Sequence, residues 1–235
     1  MLTEFDGLND QAKAVMIQPD GKIVVAGQAQ LGTFVSADQD FAVVRYLADG
    51  TPDPTFGGGD GKATITVGGK SDFVNAAALQ PDGSIVVVGR VFTDNGSGNS
   101  DMGIARFLPS GDIDTTFGTQ HGTVRIDFNE GGVVPANFDG GDWDEALDVL
   151  VQPNGKILIG GYTIHSGVFR GALLRLQSSG VIETQFGLVN TDSIEKAAGI
   201  ALQADGKVIA VGRGNSDFGI FRRGLRRERS GSNRR

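Results

Sequence analysis

Short apolar runs, each too brief for a helix, recur along the chain and are separated by glycine-containing turns. "AVMI" (14–17) and "KIVVAG" (22–27) flank a Pro-Asp-Gly turn, and "FAVVRYL" (41–47) follows after a polar gap. Proline presets φ at the first turn position, aspartate suits the second, and glycine accepts a positive φ. Two β-rich runs around such a turn predict a hairpin, and the third run predicts a strand beside it. "ADG" (48–50) turns the chain again, and "GKATITV" (61–67) predicts a fourth strand.

The pattern then repeats. "QPDGKIVVAG" at Gln18 returns as "QPDGSIVVVG" at Gln80, "QPNGKILIGG" at Gln152 and "QADGKVIAVG" at Gln203, with steps of 62, 72 and 51 residues. A second block, "DFAVVRYLADGTPDPTFG" from Asp40, returns as "DMGIARFLPSGDIDTTFG" from Asp101 and, more loosely, as "RGALLRLQSSGVIETQFG" from Arg170. It breaks off after "DFGIFR" at Asp217. Ile23-Val24-Val25-Ala26 is apolar on consecutive positions, so such strands need cover on both faces. A lone small sheet cannot supply that cover, but stacked copies can. The expected fold is all-β: a β-propeller-like array of about four four-stranded antiparallel blades. The copies fall near 12–67, 74–128, 146–190 and 196–222 in one repeat domain, 1–221. Residues 2–5 read as a partial strand able to close the ring onto the fourth copy; the alternative is a fragment of a larger propeller.

"QPDGKIVVAG" followed by "DFAVVRYLADGTPDPTFGGGDGK" resembles the delta-60 repeat family of tandem bacterial repeats. The resemblance covers nearly the whole chain up to Phe221 and is strongest in the first two copies. It implies a β-propeller-like fold and a secreted or surface-associated protein, and it implies no particular activity or catalytic residue. The N-terminal "MLTEFDGLND" lacks a basic region followed by an apolar run, so no signal peptide is read in this chain.

Composition narrows the chemistry. The 37 glycines fit a turn-rich β protein, and the absence of cysteine removes disulfides and thiolate metal sites. No apolar stretch reaches the ~18 residues of a membrane helix. Residues 222–235 hold seven arginines and one glutamate, a tail of +6 expected to be disordered. The body from 1 to 221 is therefore −13, against −7 for the whole chain. An acidic body argues against a nucleic-acid partner.

The repeated residues read as structural. Gly27, Gly89, Gly161 and Gly212 mark a bulge or a close backbone approach. Arg45, Arg106 and Arg175 are expected to pair with Asp53, Asp114 and Glu183, with Phe56, Phe117 and Phe186 as core plugs and Lys22, Lys156 and Lys207 in solvent. His121 and His165 have no accompanying catalytic motif. Function is therefore expected in the non-repeated loops. "TDNGSGNSD" (93–101) and "NFDGGDWDE" (137–145) gather oxygen ligands with glycines that permit tight turns, making Asp94, Asn95 and Asp101, or Asp139, Asp142 and Asp144, candidate calcium ligands. Trp143, the sole tryptophan, is the candidate ligand-binding residue, as a stacking platform for a sugar; the alternative is a buried anchor under the insertion. The leading expectation is a non-enzymatic binding or scaffold module that meets a protein or surface glycan. The alternatives are a carbohydrate-active hydrolase using Asp142, Asp144 and Glu145, which needs facing carboxylates, and a degenerate fragment of a longer repeat protein.

Overall fold

A computed structural model describes residues 3–5, 9–32, 38–93, 100–118, 122–126, 143–165, 167–183, 186, 189–191, 194–214 and 217–224. Fifteen strands form four successive groups among these residues. The first is β1 (Gln11–Ile17), β2 (Ile23–Leu31), β3 (Asp38–Tyr46) and β4 (Lys62–Ile65). The second is β5 (Gly69–Leu79), β6 (Ile85–Thr93), β7 (Ser100–Phe107) and β8 (Thr123–Ile126). The third is β9 (Trp143–Val151), β10 (Ile157–His165), β11 (Val168–Leu176) and β12 (Val189–Thr191). The last is β13 (Gly199–Leu202), β14 (Lys207–Gly214) and β15 (Asp217–Gly224). Within each group every strand pairs antiparallel with its neighbour in sequence; a single parallel bridge, Ser100 to Trp143, ties the second group to the third.

Pro-Asp-Gly closes the first two hairpins, Pro-Asn-Gly the third and Ala-Asp-Gly the fourth, with the same pair of backbone bonds in each. The Gln18 N–H bonds the Lys22 carbonyl (2.8 Å) and the Gly21 N–H bonds the Gln18 carbonyl (2.9 Å). Gly21 has φ +84°, a left-handed value that glycine adopts without penalty.

The apolar core lies between sheets. Val24, Phe41 and Val43 of the first group pack with Ile85, Val87 and Phe107 of the second. Val88, Met102 and Ile104 of the second pack with Ile157, Ile159 and Leu174 of the third. Leu158 and Leu173 of the third pack with Val208 and Ala210 of the last. Successive strand residues point to opposite faces, so a middle sheet serves two cores at once. That is why its strands are apolar without alternation.

Two boundaries differ from those read in the sequence. Thr3–Phe5 form no strand and lie beside β3 and β4: the Thr3 and Tyr46 hydroxyls are 2.6 Å apart, and the Lys62 ammonium donates to the Glu4 carbonyl (2.6 Å). The Asp10 carboxylate accepts from the Phe5 N–H (2.9 Å) and the Gln30 N–H (3.1 Å), as Asp72 accepts from the Val67 N–H where the second group begins. Leu2 is outside the described residues. At the other end β15 continues through Arg222 to Gly224, past the expected start of the tail; 225–235 are not described.

Candidate functional site

The repeated glycines sit where strands one and two of each copy come closest. A Cβ on Gly27, Gly89, Gly161 or Gly212 would lie 2.0, 1.9, 2.1 or 1.7 Å from the carbonyl oxygen of Gln11, Phe73, Glu145 or Lys196. In the first three copies the ladder slips here, and the bulge leaves Lys13, Asn75 and Leu147 without a residue opposite them in the second strand. A bulge re-aims side chains, and it does so at Asn75. The Asn75 amide crosses to the third sheet and donates to Glu145 Oε1 and to the Ala146 carbonyl, each at 2.8 Å.

The positions around each glycine vary from copy to copy, and their side chains link across the sheets. The first copy has Gln11 and Gln28, joined by a 2.9 Å hydrogen bond. The second has Phe73 and Arg90; the third has Glu145 and Tyr162. The Arg90 guanidinium stands 5.2 Å from the Phe73 ring centre, 5.0 Å from Phe92 and 5.9 Å from Trp143. Its Nη1 is 3.9 Å from Glu145 Oε2, which also accepts from the Tyr162 hydroxyl (2.5 Å). Burial, reinforced by the hydrogen bond to Glu145, pushes the Tyr162 phenol well above its usual range. Tyr162 is thus a fixed donor and not a base. Lys196 covers the Tyr162 and Phe169 rings at 4.1 and 4.8 Å.

Phe92 and Trp143 bring together the two loops singled out by composition. Their rings meet edge to face at 6.2 Å. The Ser100 hydroxyl donates to the Asp144 carbonyl (3.3 Å), beside the Ser100–Trp143 bridge. The root of the 93–101 loop and the end of the 137–145 segment therefore share one base at the second–third junction. Trp143 is 39% exposed there.

Of the candidate calcium ligands, Asp94, Asn95, Asp139 and Asp142 fall outside the described residues. Asp101 and Asp144 are buried in β7 and β9. Asp144 occupies the repeat position of Asp10 and Asp72, whose carboxylates accept backbone N–H groups where the chain enters a new sheet. No group of three or more metal-ligating side chains occurs among the described residues. Asp144 and Glu145 are adjacent in β9, so their side chains leave opposite faces of the strand and do not confront one another. His121 is not described, and His165 ends β10.

The repeated arginines are framework. Arg45 Nε donates to Asp53 Oδ2 (2.7 Å) and Arg106 Nε to Asp114 Oδ2 (2.8 Å); Arg175 pairs with Glu183. Each guanidinium lies 4.6 Å over its phenylalanine, Phe56, Phe117 or Phe186. Two of the lysines expected in solvent join these clusters, because the carboxylate has an oxygen within their reach. Lys22 reaches Asp53 at 3.1 Å and Lys156 reaches Glu183 at 2.5 Å. The belt around Arg90 was missed in the sequence; its signal was the variability of residues beside an invariant glycine.

Several solved structures are similar in trace. A mannose phosphorylase from Leishmania mexicana is 15% identical with a TM-score of 0.40, over 89% of this chain and 66% of that one. PorZ, a surface component of the type-IX secretion system of Porphyromonas gingivalis, is 11% identical with a TM-score of 0.41, over 90% and 26%. The β-propeller domain of the Trilobed protease from Pyrococcus furiosus is 9% identical with a TM-score of 0.42, over 92% and 55%. The chain thus spans between about a quarter and two thirds of the length of these proteins. No curated protein matches it in sequence. Among the described residues no helix is long and apolar enough to cross a membrane. Residues 18–56, 80–117 and 152–186 match the family described as "Domain of unknown function (DUF5122) beta-propeller", each from the hairpin glutamine to the phenylalanine under the repeated arginine, and the chain is an all-β protein built from β-propeller repeats.

Proposed function

We propose that the chain is a non-enzymatic binding module of delta-60 type, which meets a protein or a surface glycan through the loops between its strands. One observation carries this reading: the two non-repeated, Asp/Asn/Gly-rich loops share a base formed by Phe92, Trp143 and Arg90. Aromatic faces beside a guanidinium suit a partner with apolar C–H surface and polar groups at its rim. In this reading calcium orders the loops through Asp94, Asn95, Asp139 and Asp142, with Asp101 and Asp144 at the roots, and the module works at the cell surface, as the family resemblance implies. The hydrolase alternative gains no support from Asp144 and Glu145, which lie on opposite faces of one strand.

The test uses the sole tryptophan as its own reporter. Glycan and surface-protein arrays are screened with the full chain, with and without calcium, and each hit is titrated by Trp143 fluorescence. A binder is expected to change that fluorescence, and Trp143→Ala is expected to weaken binding about tenfold or more. Binding that ignores Trp143→Ala and leaves the fluorescence unchanged would overturn the assignment.

A further inference from the structure

At every internal junction the back of one sheet meets the front of the next. Phe41 and Val43 form the back of the first sheet, and Met102 and Ile104 that of the second; all four are fully buried. In the last sheet the same positions are Phe218 and Ile220, and they are 101% and 68% exposed. The front of the first sheet is open along β1 as well, while Ala42 and Val44 on the same face are buried. Val15 and Ile17 are 67% and 62% exposed, whereas their counterparts Ala77 and Leu79 pack into the core between the first and second sheets.

The polar contacts show the same pair of open ends. Arg45 donates to the Pro109 carbonyl and Gly57 N–H to Ser110 (2.9 Å); one copy later Arg106 donates to Ser178 and Gly118 N–H to Ser179 (2.8 Å). The receiving turns are so close that a Cβ on Gly111 or Gly180 would stand 2.5 Å from the Gly57 nitrogen or 2.7 Å from the Gly118 nitrogen. Gly50 holds that position in the first copy, and nothing lies within 4 Å of a Cβ placed there. Arg222, the counterpart of Arg45, has a side chain that is half exposed.

We infer that the back of the last sheet docks head to tail on the front of the first sheet of a second copy of this chain. The two open faces are the two halves of a junction that the chain already forms three times within itself. Phe218 and Ile220 cover Val15 and Ile17, and Arg222 donates to the Ala48 carbonyl in the turn of the second copy. The two surfaces differ, so the contact is heterologous: it closes as a ring or continues as a chain.

Sedimentation velocity over a concentration series tests this on the full chain. The wild type is expected to associate beyond the monomer. A tail variant (Phe218→Asp with Ile220→Asp) and a head variant (Val15→Asp with Ile17→Asp) are each expected to be monomeric. Their equimolar mixture is expected to give a one-to-one dimer, because each still carries one good face; that recovery also shows both variants are folded. Gly50→Asn, which tolerates the left-handed backbone and adds bulk only at the open turn, is expected to weaken association at least tenfold. A wild type that stays monomeric throughout, as when the chain covers its own face, overturns the inference. So does a tail or head variant that still self-associates, a mixture that stays monomeric, or a Gly50→Asn protein indistinguishable from wild type.

Discussion

Arg106 is held by the Asp114 carboxylate, by Gln80 Oε1 (3.1 Å), by the Ser178 carbonyl of the next sheet, and by the Phe117 ring beneath it. Removing it strands a buried carboxylate and opens a junction at the same time. Arg106→Ala is therefore expected to cost about 3–5 kcal/mol, and Arg106→Lys to recover little of it, since an ammonium cannot reproduce the fork. Arg222→Ala at the exposed counterpart is expected to change monomer stability by less than about 0.5 kcal/mol. Urea denaturation of the three variants measures the contrast. The arginine–carboxylate pairs were legible in the sequence because their spacing is fixed at eight residues in copies one to three. The part played by Lys22 and Lys156 was not, because a lysine after a turn looks the same whether or not a carboxylate lies across the sheet.

Asp72 sets a pH dependence of its own. Burial, with Asp40 and Asp38 nearby, pushes its carboxyl up to about 7, despite the hydrogen bonds from Val67 and Gly68 N–H. The folded protein then holds this proton more tightly than the unfolded chain, where the carboxyl titrates near ~3.9. The contribution is full below about pH 4 and is lost as pH rises through about 7. Asp53, Asp114 and Glu183 run the other way. Burial opposes their charge, but hydrogen bonds and cationic neighbours hold all three below the usual range, so their contribution is lost only as pH falls through those lowered values. Asp72→Asn keeps an acceptor oxygen for Val67 N–H, which now bonds Asp72 Oδ2 at 2.6 Å. It is expected to reduce the decline in stability between pH 4 and 7, leaving the part set by Asp40, whose carboxyl burial also raises, and to keep the acid limb intact, as read by denaturation at a series of pH values.

At the level of the strand, the hairpins were written plainly: two β-rich runs around a turn ending in glycine, four times over. The bulge was half legible. A glycine repeated inside an apolar strand announces close approach, but only coordinates show that the carbonyls of Gln11, Phe73, Glu145 and Lys196 are what it approaches. Gly89→Ala would place a Cβ 1.9 Å from the Phe73 carbonyl oxygen, with no flexible side chain to yield. Such overpacking is expected to cost about 1–3 kcal/mol and to displace Arg90 from Phe73, so the thermal midpoint falls and the Trp143 emission shifts. An unchanged emission would show that the bulge does not position the belt. The end elements were the least legible. Pairing of residues 2–5 with the last copy followed from repeat arithmetic, but Thr3–Phe5 form no strand and contact Tyr46 and Lys62.

Across the whole molecule, stability and candidate function are both properties of junctions. All three buried clusters span two neighbouring sheets, and the aromatic base of the two loops lies at the second junction. Sequence periodicity foretold the stacking, because strands apolar on both faces require it. It could not foretell that 93–101 and 137–145 share a base, since that depends on which ends of β6, β7 and β9 coincide once the sheets are stacked. The central claim is that each sheet is stable because it leans on the next. Native-state hydrogen exchange of wild type and Val43→Ala tests it most directly, since Val43 lies in β3 but packs against the second sheet. The account predicts that protection falls in β2 and β3 and equally across the junction in β5 and β6; a loss confined to β1–β4 would contradict it.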